Sequence, residues 1–113
     1  MENDSLTLYI IKETYSSRSA SALINNPQDR NDAIQPLVED LGGKLCHFYI
    51  ACNEDTAYLI IKLPDEKSLA ALLIAIKASG AVKSITATPV MTASDAVDVF
   101  KQASTVNYRP PAS

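Results

Sequence analysis

The sequence predicts an α+β fold in which two helices cover one side of a four-stranded antiparallel sheet. Four short runs, at residues 6–13, 44–52, 57–63 and 81–91, are rich in β-branched and aromatic residues, as strands are. Two segments with apolar residues at helical spacing separate the first strand from the second and the third from the fourth. The resulting order, βαββαβ with a further C-terminal helix, is the ferredoxin-like pattern.

Length and composition indicate one small domain. The chain has 113 residues, of which 47% are hydrophobic, and we expect the domain to span residues 6–104 between a flexible N-terminus at 1–5 and a flexible tail at 105–113. A formal net charge of -3 without a basic cluster disfavours nucleic acid. No signal-peptide pattern and no apolar run of membrane-spanning length occur. We therefore expect a cytoplasmic protein with no membrane partner.

The first helix has a recognisable start and end. Asn26 and Pro27 supply an N-cap and a first-turn proline, and Gly42 supplies a C-terminal residue that tolerates positive φ. One apolar face at helical spacing consists of Ile34, Leu37, Val38 and Leu41. Pro36 interrupts the helix, so we expect a kink or a start nearer Asp32.

The remaining segments are assigned by the same signals. The stretch at 14–21 is polar and carries no assigned element, and a short helical turn is considered at 22–24. Asp65 follows Pro64 and caps a second helix, which Gly80 ends. Its apolar face consists of Leu69, Leu72, Leu73 and Ile76. A last helix is expected from Thr92 to about residue 103.

Two cysteines lie in the second predicted strand. Cys46 and Cys52 are six positions apart, which is roughly 20 Å along a strand. A disulfide requires Cα atoms within about 7 Å, and metal-binding spacings such as Cys-x-x-Cys are absent. We expect both thiols to be reduced and buried on the helix-covered side, and we expect no metal.

Alternation along the strands divides the sheet into two faces. The face assigned to the helices contains Leu6, Leu8, Ile10, Cys46, Phe48, Ile50, Cys52, Leu59, Ile61, Leu63, Ile85 and Ala87. The opposite face contains Tyr9, Ile11, Leu45, His47, Tyr49, Tyr58, Ile60 and Thr86. A solvated face should be polar, but this one is largely apolar and aromatic. We therefore expect two copies of the sheet to pack face to face in a homodimeric α/β barrel, or in a larger assembly of the same chain.

Several short segments together resemble a known family. They are INNPQDR at 24–30, LGGKL at 41–45, FY at 48–49, LPDE at 63–66 and ASGAVK at 78–83. Over roughly residues 6–100 this arrangement resembles the GYD-domain family of small dimeric α/β-barrel proteins. The family's Gly-x-Tyr-Asp stretch would fall on residues 53–56, where none of those three residues is in place. The resemblance implies a fold and a dimer, but no reaction.

The first functional hypothesis is a small-molecule-binding or regulatory dimer. The candidate pocket residues for a small apolar or aromatic ligand are Tyr9, His47, Tyr49, Tyr58 and Thr86. The sequence contains no Gly-x-Ser-x-Gly, His-Glu-x-x-His, P-loop or Gly-rich dinucleotide turn. We therefore expect no cofactor and no catalytic residue.

Two alternatives remain open from the sequence. The first is a cofactor-independent oxygenase or isomerase acting on an aromatic or dicarbonyl compound. His47 would be its base, because imidazole titrates near neutral pH, and Tyr49 or Tyr58 would bind a developing oxyanion. The second is a structural association module whose barrel interior is filled by side chains. Glu54 and Asp55 are interpreted as a solvated turn.

Overall fold

The protein is an α+β structure with a four-stranded antiparallel sheet, as the sequence predicts. The computed structural model describes residues 5–112. Its elements are β1 (Thr7–Tyr15), α1 (Ser17–Asn25), α2 (Arg30–Asp40), β2 (Lys44–Ile50), β3 (Thr56–Leu63), α3 (Glu66–Ala78), β4 (Val82–Val90) and α4 (Ala93–Ala103). The strand order is β2-β3-β1-β4, and each neighbouring pair is antiparallel. Most of the predicted flexible N-terminus lies outside the described residues.

The core lies between the sheet and the helices α2 and α3. Ile34 and Val38 of α2 are buried, as are Leu72 and Ile76 of α3. These positions confirm the two predicted apolar helix faces. The sheet contributes fully buried side chains at Ile11, Ala57, Leu59, Ile61 and Leu63. Each large aliphatic side chain buried here contributes about 1.5–3 kcal/mol of transfer free energy.

Helix α2 begins later than predicted. Its N-cap is Asp29, whose Oδ1 accepts a hydrogen bond from the Asn31 amide at 2.9 Å, so the predicted Asn26 cap is wrong. Asp29 prevails because its carboxylate satisfies an amide of the first turn. Pro36 lies inside the helix rather than in its first turn. Gly42 has φ +82°, as predicted for a helix-terminating glycine.

Helix α1 is longer than the short helical turn considered at 22–24, and it begins within the polar stretch. Ser16 caps it, accepting a hydrogen bond on Oγ from the Ser19 amide at 3.2 Å. Within the described structure, α1 buries none of its residues, although Leu23 packs half-buried against the core. Ala20, Leu23 and Ile24 do have helical spacing, but the serines before them are typical of loops, so the helical turn predicted at 22–24 was too short.

Strand β1 faces the opposite way from the prediction. Tyr9 and Ile11 are buried under the helices, because they lie directly opposite the buried residues Ile61 and Leu59 of β3. Ile10 is instead 38% exposed on the other face, which it shares with Leu8 and Lys12. Both faces of this strand are apolar, so alternation alone cannot choose between them; pairing with β3 does.

A bulge in β2 changes the predicted alternation. The register with β3 shifts between Leu45 and His47, which leaves Cys46 as the additional residue. Leu45 therefore lies opposite Ile61 on the helix-covered side, and not with His47 as predicted. From His47 onward the predicted faces hold, since His47 pairs with Ile60 and Phe48 with the buried Leu59.

The expectation of two buried thiols is wrong. Cys46 is half-buried at the bulge, and Cys52 is exposed in the loop after β2. Both are free thiols. The strand ends at Ile50, so Cys52 is no longer governed by the alternation from which its burial was predicted.

Helix α4 projects from the body of the molecule. Thr92 caps it, as predicted, accepting on Oγ1 from the Asp95 amide at 3.0 Å. Within residues 5–112, α4 buries none of its residues, and Phe100 is 70% exposed. The radius of gyration is 17.6 Å, against about 13 Å expected for a compact chain of this length. No helix in the described part of the chain is long and apolar enough to cross a membrane.

Candidate functional site

The side of the sheet away from α2 and α3 is called the open face here. Strand register arranges its side chains in rows that cross the sheet from β2 to β4. The three central rows are Lys44–Lys62–Leu8–Val90, His47–Ile60–Ile10–Thr88 and Tyr49–Tyr58–Lys12–Thr86. The open face is the surface on which the sequence predicted a pocket.

Three of the five predicted pocket residues lie together on the open face. The rings of His47 and Tyr49 are stacked, with centroids 5.7 Å apart and an interplanar angle of 9°. Tyr58 is directly opposite Tyr49 on the neighbouring strand. Cross-strand partners of this kind have Cβ atoms about 4.5–5.5 Å apart, so Tyr58 lies next to the stacked pair on the neighbouring strand.

The other two predicted residues lie elsewhere. Thr86 is in the same row as Tyr49 but on β4, at the opposite edge of the sheet. At about 4.8 Å per strand this separates the two residues by roughly 14 Å. Tyr9 is 3% exposed on the helix-covered side, so it cannot share a surface with His47 within one subunit.

Lysines on the open face were missed by the sequence reasoning. Lys12 and Lys44 are exposed there, and Lys62 is half-buried. The strand residues that share the open face include no aspartate or glutamate. This face is therefore aromatic and apolar with a positive charge, rather than simply apolar. Lys12 is two residues from Ile10 and shares its face of β1, so a correct assignment of Ile10 would also have placed Lys12 on the open face.

A separate cavity opens on the helix-covered side, between α1, the segment leading into α2 and the end of β2. Its volume is about 850 Å³. Leu23, Ile24, Phe48 and Ile50 form apolar walls, and residues 51–55 of the β2–β3 loop form part of the lining. The backbone of Tyr15 anchors this loop, since its amide donates to the Asp55 carbonyl at 2.8 Å.

Two polar side chains are buried beside this cavity. Tyr15, which lines it, is 9% exposed, and Glu13, two residues earlier on the same face of β1, is 3% exposed. Neither the Tyr15 hydroxyl nor Glu13 Oε2 has a hydrogen-bond partner among residues 5–112. Burial raises the pKa of the Glu13 carboxyl. Burial, followed by the nearby Glu13 carboxyl, raises the pKa of the Tyr15 phenol.

Arg30 supplies the positive charge at this site. It lines the cavity, and its Nη1 donates to Gln28 Oε1 at 3.0 Å. Its guanidinium group opposes the rise in pKa of both the Glu13 carboxyl and the Tyr15 phenol.

The sequence reasoning did not identify Glu13, Tyr15 or Arg30. A signal was present, because Glu13 follows Tyr9 and Ile11 at two-residue spacing and thus shares their face of the strand. Because that face was assigned to the dimer interface rather than to the helices, the burial of the Glu13 carboxyl within one subunit was not predicted. No three His, Cys, Asp or Glu side chains within the described residues are placed to share a metal ion.

A comparison with models of known protein families identifies the family of this chain. The model of the GYD domain family matches residues 9–100. The chain belongs to the GYD domain family. A search of curated proteins found no significant match. In this GYD domain, the turn at 53–56, where the family's namesake residues are not in place, contributes residues 53–55 to the cavity lining.

Solved structures with the same fold share little sequence with this GYD domain. The protein PA3566 from Pseudomonas aeruginosa is 11% identical, with a TM-score of 0.51, and the match covers 81% of this chain and 98% of that one. An uncharacterized NIPSNAP-like domain protein from Burkholderia xenovorans is 10% identical, with a TM-score of 0.50, over 81% of this chain and 89% of that one. These likenesses support the fold assignment alone.

Proposed function

We propose that this GYD protein is a homodimeric small-molecule-binding or regulatory module whose subunits pack through their open faces. The observation that carries the proposal is the character of that surface. Ile10 and Tyr49 are 38% and 57% exposed on the sheet face opposite α2 and α3. Apolar and aromatic groups on a sheet face favour association, and a second copy is the simplest complementary partner.

The space between two such faces would suit a small aromatic or apolar compound that carries an acidic group. His47, Tyr49 and Tyr58 offer ring surfaces and hydrogen-bonding groups. Lys12, beside Tyr58 in register, would need a counter-charge when a partner excludes water. An anionic ligand supplies that charge, whereas the face itself does not.

The open face favours binding over proton-transfer catalysis. In the enzyme alternative, His47 would be a general base, and such a base is oriented by a third group, often a carboxylate. His47 stacks on Tyr49, and the strand residues of the open face include no carboxylate. Binding is therefore the function that we propose.

Sedimentation velocity and native mass spectrometry test the dimer. Wild-type protein should be a dimer at micromolar concentration, and Ile60→Asp should be a monomer, because an interface would bury its unpaired carboxylate. Ile74→Asp is the matched control, since Ile74 is 65% exposed on α3 and is away from the open face. A monomeric wild type, or a dimeric Ile60→Asp, contradicts the proposal.

His47→Ala tests the ligand site. With 4-methylbenzoate as the probe, the variant should remain a dimer but lose about 1–3 kcal/mol of binding free energy, as expected for one buried hydrogen bond. Lys77→Ala, on the far side of the sheet in α3, should bind as the wild type does. Equal affinity in His47→Ala and the wild type, measured by calorimetry, would exclude His47 from the site.

A further inference from the structure

We propose that helix α4 is a dimerisation arm, whose apolar side packs against a second copy of this chain next to the open face. This role rests on the homodimer proposed above, to which α4 adds a second contact surface. The partner is therefore a second subunit, and not a small molecule or a different protein.

The apolar side of α4 lacks a partner within the described structure. Its residues recur at helical spacing and are called the α4 stripe here: Ala93, Ala96, Val97, Val99, Phe100 and Ala103. The side chains of Val97, Val99 and Phe100 are 47%, 45% and 70% exposed, and α4 buries none of its residues among those described. A contiguous exposed apolar surface usually marks a site of association.

The length of α4 indicates that the stripe is covered by something outside its own subunit. The helix has 11 residues, and isolated helices shorter than about 12–15 residues are marginal in water. Valine and phenylalanine also have lower helix propensity than alanine or leucine. Packing of an apolar side supplies most of the stability of such a helix, and within residues 5–112 that packing is absent.

The start of α4 lies beside the open face. Asp95, in the first turn of α4, lines a cavity of about 270 Å³ together with Leu8, Lys62 and Val90. Those three residues belong to the open-face row that also contains Lys44. A second copy that packs on the open face therefore comes next to α4. Asp95 also brings a carboxylate to this lysine-bearing row, which offsets the repulsion between the lysines of two facing copies.

The area of the open face favours a second copy as the partner of the stripe. Four strands about 4.8 Å apart, with eight paired residues at about 3.3 Å each, give a face of roughly 500 Å². A stable interface buries about 800 Å² on each partner. The helix is about 16 Å long and about 10 Å wide, so burial of the stripe and of the surface beneath the partner's α4 adds roughly 300 Å² per subunit. Contact through α4 thus supplies the area that the open faces lack.

Phe100→Ala tests this role through the dissociation constant of the dimer, measured by sedimentation velocity over a range of concentrations. The constant should rise at least about tenfold, because aromatic anchors carry much of the binding free energy of an interface. Ile74→Ala shortens a similarly exposed side chain on α3 and should leave the constant unchanged. An unchanged constant in Phe100→Ala overturns the role of α4 but leaves the proposed dimer standing, whereas a monomeric wild type overturns both.

Amide hydrogen exchange identifies what covers the stripe. The amides of residues 99–103 should exchange at least about tenfold more slowly in the dimeric wild type than in monomeric Ile60→Asp, because only the dimer protects α4. The amides of residues 20–24 in α1, on the helix-covered side, should exchange equally in both proteins. Equal protection of α4 in both proteins would show that it packs on its own subunit. Fast exchange of α4 in a dimeric wild type would show that it is left free for a different protein. Either result overturns the proposal.

Discussion

Glu13 is the residue at which burial and charge conflict most directly in this protein. Burial raises its pKa above the usual 4.5, and Arg30 opposes that rise without cancelling it. A carboxyl whose pKa is higher in the folded state binds its proton more tightly there than in the unfolded chain. Its contribution to stability is therefore complete below about pH 4.5 and is lost as the pH rises through the folded-state pKa.

Glu13→Gln should consequently stabilise the protein at pH 7 but not at pH 4. Glutamine is nearly isosteric and does not ionise, so it avoids burying a charge near the Tyr15 phenol. Urea denaturation at several pH values measures the difference in free energy of unfolding between variant and wild type. Glu54→Gln, exposed in the β2–β3 loop, should show no such dependence. A variant that is equally stable or less stable than wild type at pH 7 would contradict the assignment.

The connection from α2 to β2 is the element most sensitive to side-chain size. A Cβ atom at Gly43 would collide with the Lys62 carbonyl oxygen and lie 2.7 Å from Leu63 Cδ2. The carbonyl oxygen belongs to the backbone of β3, and the Leu63 side chain is fully buried in the core. Gly80, which ends α3 with φ +77°, would meet only the flexible Arg18 guanidinium group. A side chain at Gly43 would therefore meet the strand β3, whereas a side chain at Gly80 would meet only the end of a flexible side chain.

Gly43→Ala should lower the free energy of unfolding by about 1–3 kcal/mol, as overpacking against fixed groups does. Gly80→Ala should cost about 1 kcal/mol, because its strain is confined to one backbone angle. Denaturant titration of both variants compares them directly. If Gly80→Ala is the more destabilised variant, the close approach of α2–β2 to β3 is not the limiting contact.

At the scale of the whole molecule, helix α4 is separate from the folded body. It buries none of its residues within the described structure, and its apolar side chains, Phe100 among them, are exposed. Ending the chain after Thr92 in the monomeric Ile60→Asp background should therefore change the free energy of unfolding by less than about 0.5 kcal/mol. A larger loss in urea denaturation would show that α4 supports the body of the subunit.

The sequence alone determined the order of the four strands, of α2 and α3 and of α4, and the apolar faces of α2 and α3, but not α1. Those predictions rest on local signals: apolar spacing across 34–41 and 69–76, the Asp65 and Thr92 caps, and the positive φ required at Gly42. Such signals are readable because neighbouring residues produce them. His47, Tyr49 and Tyr58 were placed correctly on one face for the same reason, since alternation is also local.

Only the tertiary structure decided which face of β1 is buried and where the polar side chains gather. Both faces of β1 are apolar, so pairing of Tyr9 and Ile11 with β3 settled the choice. The bulge at Cys46 moved Leu45 to the covered side. The cavity beside Tyr15 and Arg30 joins segments distant in sequence, and long-range packing rather than local propensity brings them together.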